Sequence, residues 1–286
     1  MNTRTALITG ASRGLGACLV RRFWEDGFSL CLVGRNRDSL QRISASLTPK
    51  INQKTLIFGC DLGDSASVNF LSGLIKEQTQ RIDVLINNAA IQGPIGPLWD
   101  NDINEWNKTL QVNLLSPIIL CRALIPGMKA VQAGTIINIS GGGATGPRPN
   151  FSAYATAKSG LIRFSETLAE ETKMLGIKVN CIAPGAMKTE MLQEIVNKGE
   201  ILAGKNEFNA AKKLIESGST SMDKVADLAL FLSSNASNGV TGKLISAVWD
   251  PWESLPEHLE DLKGSDIYTL RRIVPKDRGK NWGNDT

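Results

Sequence analysis

The chain reads as an α/β protein built on one parallel, doubly wound sheet with helices on both faces, and three observations predict it. Seven short runs rich in Val, Ile and Leu alternate with longer stretches of helical period. The gaps between runs hold the helical crossovers that parallel neighbours require. No repeat, low-complexity tract or linker divides the 286 residues, so a single domain is expected. In order, the runs are 5–9, 28–33, 55–58, 82–86, 135–139, 178–182 and 243–248, mostly continuous in apolar character, as strands covered on both faces must be. Helical stretches start near Gly14, Asp38, Asp64, Ile103, Phe151 and Asp223, several with Asp or Ser available as N-cap. Two segments break this rhythm. Residues 189–221, rich in Lys, Glu, Asn and Ala, are expected to form a mobile helical lid over a substrate. Residues 250–286 extend past the last strand with Trp252 and Trp282, and aromatic content of that kind predicts docking on the chain's own domain or on a sister subunit. The layout is therefore a domain over 1–249 with an extension over 250–286.

Composition narrows the function. A hydrophobic content of 42% supports a sizeable core and excludes disorder, collagen and coiled coil. The net charge of +4 is spread with both signs interspersed, so neither nucleic acid nor a membrane surface is expected as partner. Cys18, Cys31, Cys60, Cys121 and Cys181 are odd in number, form no CxxC pair and mostly sit in apolar runs, which predicts reduced, buried thiols in a cytoplasmic protein. No apolar run of the ~18 residues a membrane span needs stands out, and the first strand follows Arg4 too closely to leave room for a signal peptide. His258 is the single histidine, so acid-base chemistry falls to Tyr, Lys, Asp or Glu, and no metal site is expected.

The first strand runs into Thr9-Gly10-Ala11-Ser12-Arg13-Gly14-Leu15-Gly16 and then a helix. Glycines at these spacings permit a tight turn, close approach of backbone to a pyrophosphate and close packing of helix on strand. The helix N-terminus adds amide donors and a favourable dipole for an anion. With this turn the chain resembles the short-chain dehydrogenase/reductase family, whose glycine motif TGxxxGxG it matches, over about residues 5–248. The resemblance implies a Rossmann-like fold and carries further elements. Asp61-Leu62 falls where the family contacts adenine, and Asn87-Asn88-Ala89-Ala90 is similar to its NNAG element, with Ala90 in place of glycine. Pro184-Gly185, Met187 and Thr189 fall where it holds the nicotinamide carboxamide. Cofactor choice is read at the end of the second strand, where an acid would bond the ribose 2′-hydroxyl and repel a 2′-phosphate. Here stands Gly34-Arg35-Asn36-Arg37 without an acid, and Arg35 with Arg13 can clamp a phosphate, so NADP(H) is expected over NAD(H).

Tyr154 and Lys158 are spaced i, i+4 at the start of a helix and share one face. By the same resemblance they are the catalytic pair, Tyr154 as acid or base and Lys158 also on the nicotinamide ribose. The chemistry needs such a pair because a free tyrosine titrates near pH ~10, and a neighbouring ammonium favours the phenolate. Asn113 matches the asparagine that anchors a water in the family's proton relay. The family's serine, thirteen residues before the tyrosine, is Gly141 here, and Ser140 stands one position earlier within Ser140-Gly141-Gly142-Gly143. Along an extended strand such a shift turns a side chain to the opposite face, although glycines can let the backbone rotate Ser140 inward or bring an amide to the substrate oxygen.

The leading expectation is hydride transfer between NADP(H) and a small carbonyl compound or secondary alcohol, with a pocket lined by residues 92–98, Arg148, Phe151, Met187 and the lid. Arg148 suggests an anionic or polar substrate, or is a surface arginine; Trp249 and Trp252 are read as packing residues rather than as a sugar platform. Gly141 motivates a second reading, a cofactor-binding scaffold without turnover, against which the retained Tyr154, Lys158 and Asn113 argue. A third is dehydration or epimerisation of a nucleotide sugar, which in the family usually comes with a larger substrate domain than the 37 residues after Trp249. The resemblance also implies a homodimer or homotetramer, packed through the helices near Ile103 and Phe151 and through the last strand.

Overall fold

Each strand sends successive side chains into two different cores. In β1 (Thr5–Thr9), Ala6 and Ile8 enter one apolar cluster while Leu7 enters another. The same alternation holds in β2 (Ser29–Gly34), β4 (Val84–Asn87) and β5 (Gly134–Ile139), where Ile137 and Ile139 face one side and Ile136 the other. In this computed structural model, which describes residues 3–79, 81–217 and 220–282, β3 (Thr55–Gly59), β6 (Ile177–Ala183) and β7 (Leu244–Ser246) complete a wholly parallel sheet of order β3-β2-β1-β4-β5-β6-β7. Helices α1 (Gly14–Glu25), α2 (Arg37–Ala45) and α9 (Met222–Ser233) cover one face; α3 (Ser65–Gln78), α5 (Ser116–Ala130) and α6 (Ser152–Thr172) cover the other. The doubly wound architecture expected from the sequence is the one observed.

The strand order reverses between β1 and β4, and loops leaving the carboxyl ends of those strands diverge there into a crevice. α4 (Ile103–Leu110) leads into α5 through a wider turn, Gln111–Leu115, in which Ser116 N donates to Gln111 O. The segment expected to form a lid is helical over most of its described residues. It consists of α7 (Glu190–Ala203, interrupted at Gly199) and α8 (Lys205–Ser217), and Ile195, Ala203 and Ala211 close on Ile95 and Phe151.

Two expectations need correction. The last strand covers Leu244–Ser246 only, half the run expected, because Ser246 ends it. Its N–H donates to Asp250 Oδ2 (2.7 Å) while its hydroxyl accepts from Val248 N and Trp249 N, a local turn that takes the backbone off the ladder. The continuous run Ile103–Ala130, 28 residues, is long and apolar enough by length and composition to cross a membrane, which the sequence reading did not single out. Its apolar side chains Val112, Leu120, Cys121, Leu124 and Met128 enter the core, and buried Asn113 and Ser116 bond neighbouring backbone. All five cysteines are free and buried, and burial holds the thiols of Cys18, Cys31, Cys121 and Cys181 up at about 12.

The extension docks on its own domain. Trp252 packs on Phe231 with ring centroids 5.4 Å apart, and Leu255 and the short α10 (Leu259–Leu262) bury Leu255 and Leu262 in the core beside α9. Trp249 and Trp282 stay exposed. Further on, Tyr268 O accepts from Leu244 N (2.8 Å), and Lys243 Nζ donates to Ser265 O and Ile267 O. The edge of β7, which the resemblance assigned to a sister copy, is thus lined by the chain's own tail. If the tail is part of the core, Leu262→Ala costs about 2–5 kcal/mol, as a buried leucine does. Urea denaturation measures it, and a cost below about 0.5 kcal/mol would assign the tail no share in stability.

Candidate active site

The turn after β1 is held by a buried threonine. Thr9 Oγ1 accepts from Asn88 N and Ala89 N, both at 3.0 Å, and Asn88 Nδ2 donates to Thr9 O (2.9 Å), so the ends of β1 and β4 are locked together at the crevice. Two glycines make this possible. Gly10 has φ +63, and a Cβ there would lie 2.9 Å from Ala89 Cα; a Cβ on Gly16 would overlap Gly10 O and lie 2.9 Å from Asn88 Nδ2. Gly14 and half-exposed Ser12 present backbone at the start of α1, while Leu15 anchors the helix in the core. Thr189 abuts this turn, its Cγ2 4.0 Å from the Cβ position of Gly14, and Met187 packs on the core cluster of α1 and α9.

Other predicted cofactor residues surround the same crevice or the sheet edge beside it. Ala90 follows Ala89 in the chain; Pro184 is buried after β6 and Gly185 has φ +75. Asp61 is exposed with its carboxylate accepting from Gly63 N, and Leu62 is buried with its carbonyl held by Ser116 Oγ (2.6 Å). At the end of β2, Arg35, Asn36 and Arg37 are exposed and Asn36 caps α2 through Ser39 N. Arg13 forms an exposed ion pair with Glu190 at the start of the lid.

The start of α6 brings Tyr154 and Lys158 to the carboxyl end of β5. Lys158, 1% exposed, donates from Nζ to Ile139 O at 2.8 Å, and its ammonium lies 5.7 Å over the Tyr154 ring. Burial pulls its pKa down to about 8. Burial likewise raises Tyr154, opposed by the positive charge of Arg148. The phenol hydroxyl packs against Gly141, where a Cβ would overlap it and lie 3.0 Å from ring Cε1 and Cζ. Ser140 remains in the ladder, its N–H donating to Ile182 O (2.8 Å), and its buried hydroxyl bonds neither Tyr154 nor Lys158 among the described residues. Asn113 is fully buried at the wide turn and grips Ile91 at both ends: Nδ2 donates to Ile91 O (2.8 Å) and Oδ1 accepts from Ile91 N (2.9 Å). It thereby ties the loop after β4 to the helix before α5.

Sequence reasoning missed the polar groups beneath the pair. Asn87 Nδ2 donates to Asn138 Oδ1 (2.8 Å), Asn138 Nδ2 donates to Ser165 Oγ (2.7 Å), and Cys181 Sγ lies 3.1 Å from the same hydroxyl, all buried. Asn138 inside Ile136-Ile137-Asn138-Ile139 was the available signal, because a polar group inside a buried strand needs a partner. Also missed was the partner of Arg148. Its Nε and Nη2 donate to the two carboxylate oxygens of Glu207 on α8, at 3.0 and 2.8 Å.

A glycine turn at the switch point of a parallel sheet, with a buried tyrosine and lysine at the carboxyl end of β5, fits an oxidoreductase that works with a nicotinamide dinucleotide on CH–OH or C=O groups. The profile of the short chain dehydrogenase family matches residues 4–200, and the chain belongs to that family. The 3-oxoacyl-acyl-carrier-protein reductase FabG of Chlamydia muridarum is 32% identical over 243 residues, covering 85% of this chain and 95% of that protein. The NADPH dependent reductase YwfH, involved in bacilysin biosynthesis, superposes with a TM-score of 0.76 at 26% identity over 88% of this chain and 98% of its own. Levodione reductase gives the same TM-score and identity over 90% and 99%. Contact at Gly141 predicts an energetic coupling. Gly141→Ala is expected to cost about 1–3 kcal/mol, and at least ~0.5 kcal/mol less in a Tyr154→Phe background, where the hydroxyl it meets is gone. Denaturation of the four proteins of the cycle measures this, and equal costs in both backgrounds would refute the contact.

Proposed function

We propose that the chain is an NADP(H)-dependent oxidoreductase passing hydride between nicotinamide and a small carbonyl compound or secondary alcohol, with Tyr154 transferring the proton. The observation that carries this reading is the buried Tyr154–Lys158 pair at the end of β5 with the phenol hydroxyl on Gly141. The residues present fit the cofactor: bare backbone opens α1, and no acid stands among residues 34–37 to repel a 2′-phosphate. Gly10, Ser12, Gly14, Leu15 and Gly16 would hold the pyrophosphate, Asp61 and Leu62 the adenine, and Asn88, Ala89 and Ala90 the adjoining ribose. Pro184, Gly185, Met187 and Thr189 would hold the carboxamide, and Lys158 the nicotinamide ribose. Arg35 and Arg13 would take the 2′-phosphate, with Glu190 released from Arg13; exposed pairs of that kind hold by less than ~1 kcal/mol.

When bound, the nicotinamide supplies or accepts the hydride. In reduction Tyr154 gives its proton to the substrate oxygen, and the Lys158 ammonium stabilises the phenolate left behind. The lid residues closed on Ile95 and Phe151 keep water out. Ser140 remains a candidate donor to the substrate oxygen, and the family's hydroxyl is otherwise lacking at Gly141. Assembly as a homodimer or homotetramer and a cytoplasmic location complete the reading.

Two measurements test it. NADPH oxidation against a panel of ketones, keto-sugars and 3-oxoacyl thioesters should be lost by at least ~10²-fold in Tyr154→Phe. Its kcat/KM should fall as pH rises through about 8, since Lys158 is charged below that value and neutral above it. NADPH binding without turnover across the panel would favour the scaffold reading instead. In the second, NADPH should bind more tightly than NADH, and Arg35→Ala should weaken NADPH about tenfold while sparing NADH. A tighter Kd for NADH would overturn the cofactor assignment.

A further inference from the structure

Gly143 makes room for Arg148, and Gly142 is in ordinary contact with it. A Cβ on Gly142 would lie 3.7 Å from Arg148 Cζ, and one on Gly143 2.9 Å from Arg148 Cβ. The guanidinium therefore lies along bare backbone just past Gly141, with Cζ 3.9 Å from the Phe151 ring centre and 5.6 Å from that of Tyr154. Its side chain is 12% exposed, and two of its donors form the parallel fork with Glu207. A planar fork of this kind recognises a planar carboxylate. The carboxylate now on it belongs to the lid, not to the sheet, and is about a third exposed at 34%. Exchanging it for another carboxylate preserves the charge balance and both hydrogen bonds, whereas a neutral ligand in its place would leave a largely buried cation unpaired.

We propose, resting on the oxidoreductase reading above, that Arg148 is the substrate-binding cation of this site and Glu207 its internal stand-in, so that the preferred substrates are carbonyl compounds bearing a carboxylate. The short span between guanidinium and phenol ring sets carboxylate and carbonyl a few carbons apart. Arg148 acts by holding substrate beside Tyr154, and Glu207 by occupying Arg148 until the substrate arrives.

The test uses matched pairs, short oxo acids and the primary amides of the same acids, as substrates for NADPH oxidation. Calorimetric binding of succinate, which has no reducible carbonyl, runs beside it. Acids should exceed amides about 10- to 100-fold in kcat/KM. Glu207→Gln should raise that ratio and tighten succinate about tenfold by removing the competitor. Arg148→Lys, which keeps the charge and loses the fork, should bring the ratio toward one and weaken succinate. Equal use of acids and amides by the unaltered protein overturns the proposal while leaving the oxidoreductase reading intact, as does succinate binding indifferent to both substitutions. Failure of the oxidoreductase reading has a different signature: no carbonyl is turned over, yet succinate binding still follows Arg148 and Glu207, which supports the carboxylate site.

Discussion

Close approach at the end of β5 governs the arrangement of the site. Residues 141–143 carry no side chains, and over them meet a phenol from α6, a guanidinium from the loop before α6 and, through it, a carboxylate from the lid. A Cβ at Gly141 or Gly143 would displace one of these groups. Bare backbone makes a precise floor only if it is itself fixed. Ser140 N is still bonded to Ile182 O and Ile139 O takes the Lys158 ammonium, so the strand remains in register up to the first glycine. Glycine here gives proximity without looseness, because the ladder ends immediately before it.

The helix that delivers Tyr154 and Lys158 is fixed along its length by polar contacts rather than by apolar packing alone. Near its start, Ser159 Oγ donates to Ala144 O at 2.9 Å; in its middle, Ser165 accepts from Asn138. At the same height the tail also holds it: Leu270 N donates to Glu166 Oε1 (2.6 Å) and Arg163 bonds Leu270 O. Apolar faces can slide by a rotamer change, whereas hydrogen bonds at two levels set both the rotation and the height of a helix. The extension lining the edge of β7 thus also acts on the helix carrying the candidate catalytic pair, at a distance from the pair itself.

What was legible in the sequence follows from the range of the interactions involved. The glycine turn, the i, i+4 spacing of Tyr154 and Lys158 and the strand runs are local patterns, and each has its expected place in the fold. The Arg148–Glu207 fork joins residues 59 apart in sequence, and no period announces it. Gly141 reads as a missing hydroxyl in the sequence; only the packed phenol reveals it as a space that is used. The shortened β7 was illegible because Val248 and Trp249 are good strand residues whose N–H groups Ser246 diverts, and side chain to backbone competition of that kind leaves no mark on hydrophobic pattern.

In the proposed reaction, electrostatics links the helix that carries Glu207 to the proton chemistry of Tyr154. Two cations flank the Tyr154 ring, Lys158 at 5.7 Å and Arg148 at 5.6 Å, in surroundings whose burial raises the phenol's pKa. With Glu207 in place the second cation is paired, and its charge still opposes the effect of burial on the phenol. Lifting the lid without replacing that carboxylate would leave two unpaired cations beside Tyr154 and favour early loss of its proton. In the proposed reaction, a carboxylate arriving on Arg148 as Glu207 leaves would keep the local charge constant, so the phenol would still hold its proton when hydride transfer creates the oxyanion that needs it.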